Sequence, residues 1–301
     1  VTEDEAERAE LYRQIDSISY LASDYFIPNE YDKLMSVIGA EGTNAYTSTD
    51  MTVYVEDIPS NQIENWARIE ADRFMHPVIR GFHTELETVY EEKNMSLTND
   101  FRKSLEAMDG ILFADHPYGT QTVLGTQEHL KNPSVTNIKN YHKTYYVPNN
   151  MAICLSGDFD PDEMLSIIEK YFGQMEPNTE LPEVDFETKT VIESPVSKEV
   201  YGLDAENIMI GWKYPGAGTQ EALVADVVSY ILSNGSAGLI DLNLNQQQKV
   251  LGAQAMSYTR PDAGEFLIMA NPKQGQTLDE VKDLVLAEIA KLRAGEFDEA
   301  L

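Results

Sequence analysis

Between Gly39 and Asp100 the spacing of apolar residues changes from alternation to three- and four-residue steps, and that change leaves few folds open. Ala45, Thr47, Thr49, Met51, Val53 and Val55 fall on one parity, with β-branched residues enriched, which predicts a strand entered through Gly39 and Gly42. Pro59-Ser60 then opens a segment in which Ile63, Trp66, Ala67 and Phe74 recur at helical steps, an amphipathic helix stopped by Pro77. A third segment has helical period through Phe82, Leu86 and Val89 and places Glu85 and Glu92 two turns apart beside that line. Two carboxylates therefore leave one helix in the same direction.

The flanking sequence extends this into two domains. Val1–Phe26 reads as an acid-led helix, and IPNEYDKLMSVIG as a short one stopped at Gly39. The helix from Gly81 is expected to run, with breaks, to about Phe113. DHPYGTQTVLG carries closely spaced turn residues, and Pro133-Ser134 begins a helix through Tyr145. NNMAICLSGDF reads as a fully buried strand that would bury Cys154, and Asp160-Pro161-Asp162 caps a helix ending at Gly173. Prolines and acids over Gln174–Glu193 mark a linker. Beyond it come a strand (ENIMIGWKYPG), two helical segments, two strands around Pro261-Asp262 and a last helix, TLDEVKDLVLAEIAKLRAGEF. The expected fold is α+β: two similar domains, residues 1–180 and 181–301, each a mainly antiparallel sheet with helices packed on one face.

A formal charge of −29 over 301 residues weighs against a nucleic-acid partner, because phosphate binding rests on clustered Lys and Arg. No run of eighteen apolar residues exists, so no membrane span is expected. One cysteine excludes an internal disulfide.

The central stretch resembles the pitrilysin/insulinase family of zinc peptidases, an inverted H-x-x-E-H class in which a later helix supplies a glutamate as third ligand, with another glutamate seven residues before it. ELETVYEE fits that helix. The family's strand, roughly G-x-x-x-N-A-x-T-x-x-x-x-T-x-Y, is matched by Gly39, Asn44, Ala45, Thr47, Thr52 and Tyr54 with a one-residue difference in the glycine spacing. HPYGTQTVLGTQEHLKN, NYHKTYYVPNNMAICLSGDFDPDEM and IIEKYFG look like the back half of the family's first domain.

The resemblance implies that Glu92 is a zinc ligand and that Glu85 orients a ligand or contacts substrate. It also implies that Asn44, Ala45, Tyr46 and Thr47 form an edge strand receiving an extended peptide. From the helix alone, Glu92 reads as one of several solvated acids, and the strand alone reads as core. None of His76, His83, His116, His129 and His142 forms an H-x-x-E-H, so zinc is expected in the intact protein and not in this chain alone. The chain is expected to be an internal piece that stops at FDEAL within a helix and is inactive by itself. Its partners would be a peptide substrate, an upstream segment and a C-terminal half of the same protein. In the second domain, Gln246 and Gln247 depart from the family's L-R-E-x-x-G-L-A-Y, so that domain is expected to be structural. The alternative is a non-catalytic scaffold or peptide-binding relative. By analogy with relatives, an extracytoplasmic bacterial setting is expected.

Overall fold

The computed structural model describes residues 4–131, 134–183 and 186–298. Helix α1 (Glu5–Ser23) starts where the Asp4 carboxylate accepts from the Ala6 and Glu7 amides. Residues 1–3 of the expected first helix lie outside the described residues. Helix α2 (Glu30–Val37) ends before Gly39, whose positive φ turns the chain into strand β1 (Glu41–Thr47).

β1 does not continue to Val55 as the parity pattern predicts. It folds back on β2 (Thr52–Asp57) as an antiparallel hairpin, with Ala45 opposite Tyr54 and Thr47 opposite Thr52. The Ser48 hydroxyl accepts from the Asp50 and Met51 amides, and the Ser48 amide donates to the Met51 carbonyl. The hydroxyl's bonds are local side-chain-to-backbone bonds that compete with an extended strand. Helix α3 (Ile63–Met75) follows, then α4 (Phe82–Ser96).

The expected long helix breaks at Leu97–Asn99, where the Asn99 side chain caps α5 (Asp100–Leu112) by accepting from the Arg102 amide. The turn-rich HPYG segment holds a single helical turn, α6 (Pro117–Thr120). Helix α7 (Gln127–Lys131) precedes α8 (Val135–Tyr145), which is capped by Ser134; Pro133 lies outside the described residues. Helix α9 (Pro161–Phe172) is capped by Asp160, as expected.

Two compact units emerge: Val1–Lys93 with Val123–Val184, and Asn94–Thr122 with Asp185–Leu301. In the first, Ala67 and Ala71 of α3 pack with Phe172 of α9, and Tyr54 of β2 meets the Phe74 ring edge-on at 5.4 Å. The buried strand expected over NNMAICLSGDF is not formed, and Cys154 is exposed. An apolar run becomes a strand only where a ladder partner satisfies its backbone, and among the described residues none pairs with it.

The second unit is built on β3 (Ile208–Pro215), β4 (Gly252–Thr259) and β5 (Ala263–Asn271), all antiparallel in the order β3-β5-β4. One face carries α10 (Gln220–Leu232) and α11 (Leu278–Ala294) over a core of Ile268, Ala270, Val281, Val285, Leu232 and Leu244. At roughly 1.5–3 kcal/mol for each large apolar side chain fully buried, this core is the main source of the unit's stability. The opposite face carries α5 in addition. Met108 lies against Gly211, where a Cβ would stand 2.7 Å from its sulfur. The segment expected to be helical after α10 contains a π-helical turn, Asp241–Asn245. Gly295, at φ 71°, stops α11. Phe297 and Asp298 are therefore not helical, contrary to the expected helical ending at FDEAL, whose last three residues lie outside the described ones. The linker expected over 174–193 has no helix or strand among its described residues. Part of it is tied down, because the Asp115 carboxylate accepts from the Lys189 amide at 2.6 Å and from the Thr188 and Thr190 hydroxyls.

Candidate functional site

Helix α4 turns a half-buried stripe of Phe82, Leu86, Val89 and Tyr90 inward and leaves Glu85, Glu87, Glu91 and Glu92 exposed. Seven residues are nearly two full turns, so Glu85 and Glu92 share one side of the helix, about 10 Å apart along its axis. The structure brings no histidine to them. His76 sits on Asp72 at 3.0 Å, and His83 meets the Phe82 ring. His129 accepts from the Thr126 amide, and His142 stacks on Tyr146 with ring centroids 4.5 Å apart. His116 is buried within the second unit.

Among the described residues no group of three or more His, Cys, Asp or Glu side chains is placed to hold a metal ion. A catalytic zinc takes three protein ligands, so these residues do not by themselves make a zinc site.

Strand β1 is paired on one side only among the described residues. Asn44, Ala45, Tyr46 and Thr47 are all exposed, with Tyr46 at 57%. The Asn44 side-chain oxygen accepts from the Ala45 amide, and the Thr47 hydroxyl lies 3.5 Å from that of Thr52 across the hairpin. An open, exposed strand edge has the geometry for adding another extended segment.

Two polar clusters, one half-buried and one buried, lie outside the residues expected to form the site. In the first unit, the Tyr31 hydroxyl lies between Glu56 and Glu70, and Trp66 donates to Glu56. Arg73 donates to Glu70 at 2.6 Å, with its guanidinium 4.3 Å from the Tyr31 ring centre and 4.6 Å from that of Tyr54. In the second, Arg260 is buried between Asp109 at 2.9 Å and Glu265 at 3.6 Å, over the rings of Phe113 and Tyr118. Burial pushes the Glu265 carboxyl up to about 7, with the Asp109 charge adding to the effect and Arg260 opposing it. His116 accepts the Tyr118 amide on Nδ1, which places the proton of a neutral ring on Nε2, 3.3 Å from Asp262.

Both clusters had a sequence signal. Glu70 continues the Ile63, Ala67, Phe74 stripe of α3, and Glu265 shares the parity of Ala263 and Leu267 in β5. An acid at a core position needs a partner or a proton.

The fold is α+β, with antiparallel sheets overlaid by helices. Residues 134–301, more than half of the chain, match the family model described as the Peptidase M16 inactive domain, and the chain belongs to the M16 peptidase family. The zinc protease PqqE of Helicobacter pylori is 21% identical over 300 residues, covering 95% of this chain and 66% of that protein. A crystal structure of a protease from Helicobacter pylori superposes with a TM-score of 0.78 at 21% identity, covering 90% of this chain and 67% of that one. The crystal structure of pitrilysin gives 0.66 at 20% identity, with 89% and 30% covered. The chain thus spans 66% of the length of the first relative. Glu85, Glu92 and Asn44–Thr47 all precede the segment matched by the family model. No helix among the described residues is long and apolar enough to cross a membrane.

Proposed function

We propose that this chain is part of a zinc-dependent M16 endopeptidase. In this reading it contributes Glu92 as a metal ligand, Glu85 as the group that orients a ligand or contacts substrate, and the β1 edge at Asn44–Thr47 as the seat of an extended peptide. The observation that carries the reading is the placement of Glu85 and Glu92 on one exposed side of α4 in a chain of this family. A single carboxylate does not hold catalytic zinc, so the remaining donors must come from outside the described residues, and the described chain alone is inactive. Zinc, once held, acts as a Lewis acid toward a peptide carbonyl or a water. The chain's own part is to place a carboxylate and to hold the peptide backbone by strand addition at β1.

The test is metal content in the full-length protein. Glu92→Gln should lose stoichiometric zinc while keeping its circular dichroism spectrum, and Glu85→Gln should keep the metal and lower kcat. Stoichiometric zinc in the Glu92→Gln protein overturns the ligand assignment.

A second reading, a non-catalytic scaffold or peptide-binding relative, is favoured by the description of the matched model as an inactive domain. Under it, the full-length protein binds extended peptides at β1 without cleaving them, and zinc does not change that affinity.

A further inference from the structure

The Glu56–Tyr31–Glu70 contact contains more acceptors than hydrogens. The Tyr31 oxygen is within hydrogen-bond reach of Glu56 Oε1, and of Glu70 Oε1 at 2.7 Å. The outer carboxylate oxygens are engaged separately, Glu56 Oε2 by the Trp66 indole and Glu70 Oε2 by Arg73 at 2.6 Å. A phenol carries one O–H, which can be directed at one of the two carboxylates. The other close O···O approach needs a hydrogen of its own, and a protonated carboxyl is the group that can supply it. Charge counting agrees: two carboxylates face one guanidinium, and one added proton makes the half-buried cluster neutral.

We propose that the Glu56–Glu70 pair holds one proton at neutral pH, relayed through Tyr31, and that this proton locks the β1–β2 hairpin onto α2 and α3. Glu56 belongs to β2, Tyr31 to α2, and Glu70 with Trp66 and Arg73 to α3, so one hydrogen-bonded chain spans three elements. Loss of the proton sets two carboxylates against a single phenol hydrogen and leaves a second negative charge without a cation, which opens the contact on the hairpin side. The proton belongs to the pair and not to one residue. Burial favours its retention, since Glu70 is 3% exposed and desolvation pushes its carboxyl above the ordinary range while Tyr31 and Arg73 pull the other way.

The groups facing Glu70 are Tyr31 from α2, Glu56 and Tyr54 from β2, and Arg73 from its own helix. Helix α9, packed along α3, presents Lys170 and Tyr171 to Glu64 instead. The inference rests on this unit alone and does not depend on the peptidase reading.

The test is a titration of the full chain with carbon-13 at the glutamate δ-carbons, resonances being assigned with Glu56→Gln and Glu70→Gln. One of the two should keep the chemical shift of a carboxylic acid at neutral pH and ionise only under alkaline conditions. Hydrogen exchange at Ala45–Thr47 and Thr52–Val55, corrected for its intrinsic pH dependence, should lose about tenfold protection through that ionisation, the effect of one hydrogen bond. Glu70→Gln, a permanent mimic of the neutral acid, should keep the protection at every pH. Two fully ionised side chains at neutral pH would overturn the shared proton. Hairpin protection that changes equally in the wild type and Glu70→Gln would overturn the lock.

Discussion

Glu265 lies 3.6 Å from the Arg260 guanidinium, and neither of its carboxylate oxygens has a hydrogen-bond partner. Its side chain is fully buried in the centre of the β3-β5-β4 sheet, so the neutral acid is favoured and the folded value rises from 4.5 to about 7. The folded state then binds more protons than the unfolded chain between those two values. Stability must therefore fall as pH rises from 4.5 to about 7 and level off above. A shift of this size is worth on the order of 3 kcal/mol. Glu265→Gln should flatten that part of the curve and raise the urea midpoint at alkaline pH relative to the wild type. Parallel curves for the two proteins would show that Glu265 is ionised in the fold.

Arg260 is 4% exposed and lies 2.9 Å from Asp109 of α5, so it joins the α5 face of the sheet to the sheet itself. Arg260→Met leaves Asp109 and Glu265 without their cation, and breaking a buried pair from one side costs about 3–5 kcal/mol. Adding Asp109→Asn should return part of that loss, because a neutral amide needs no counter-charge. Urea unfolding of the two variants measures the difference, and identical midpoints would mean that the lost packing on Phe113 and Tyr118 outweighs the charge.

Helices were legible because their signals are local: Asp4, Ser134, Asp160 and Thr277 stand at N-caps, and the apolar period follows. The β1–β2 turn was hidden because Thr49 and Met51 continue the strand parity while the Ser48 hydroxyl turns the backbone. MAICLSG shows the limit of apolarity as a signal, since it reports a preference for burial and a strand also needs a ladder partner. For the candidate site, the sequence gives the direction in which Glu85 and Glu92 leave α4. It cannot give the remaining donors, which no helical period within this chain supplies. Glu70 and Glu265 were readable as acids at core positions, but Tyr31 and Arg260, far off in sequence, were not.

Gly216 follows β3, and a Cβ there would stand 2.0 Å from the Pro261 carbonyl oxygen and 2.6 Å from the Asp262 carbonyl carbon. Both neighbours are backbone, so the β4–β5 turn would have to move, along with the Ala217 amide bond to the Arg260 carbonyl. Gly216→Ala should destabilise by more than about 1 kcal/mol, as overpacking does. Gly252→Ala, where a Cβ meets nothing within 4 Å, should stay within about 0.5 kcal/mol of the wild type. Thermal melts of the two variants side by side separate a backbone clash from a general loss of glycine.

Cys154 gives the most direct measure of the state of the Met151–Leu155 run. A thiol in a central strand reacts only when the strand opens, which slows labelling by orders of magnitude relative to a free thiol. The side chain is exposed here and its segment has no ladder partner among the described residues, so no opening step stands before the reaction. A thiol reagent should therefore titrate one cysteine per native chain at the rate found in urea, since the chain has a single cysteine. Labelling that waits for denaturant would restore the buried strand read from the sequence.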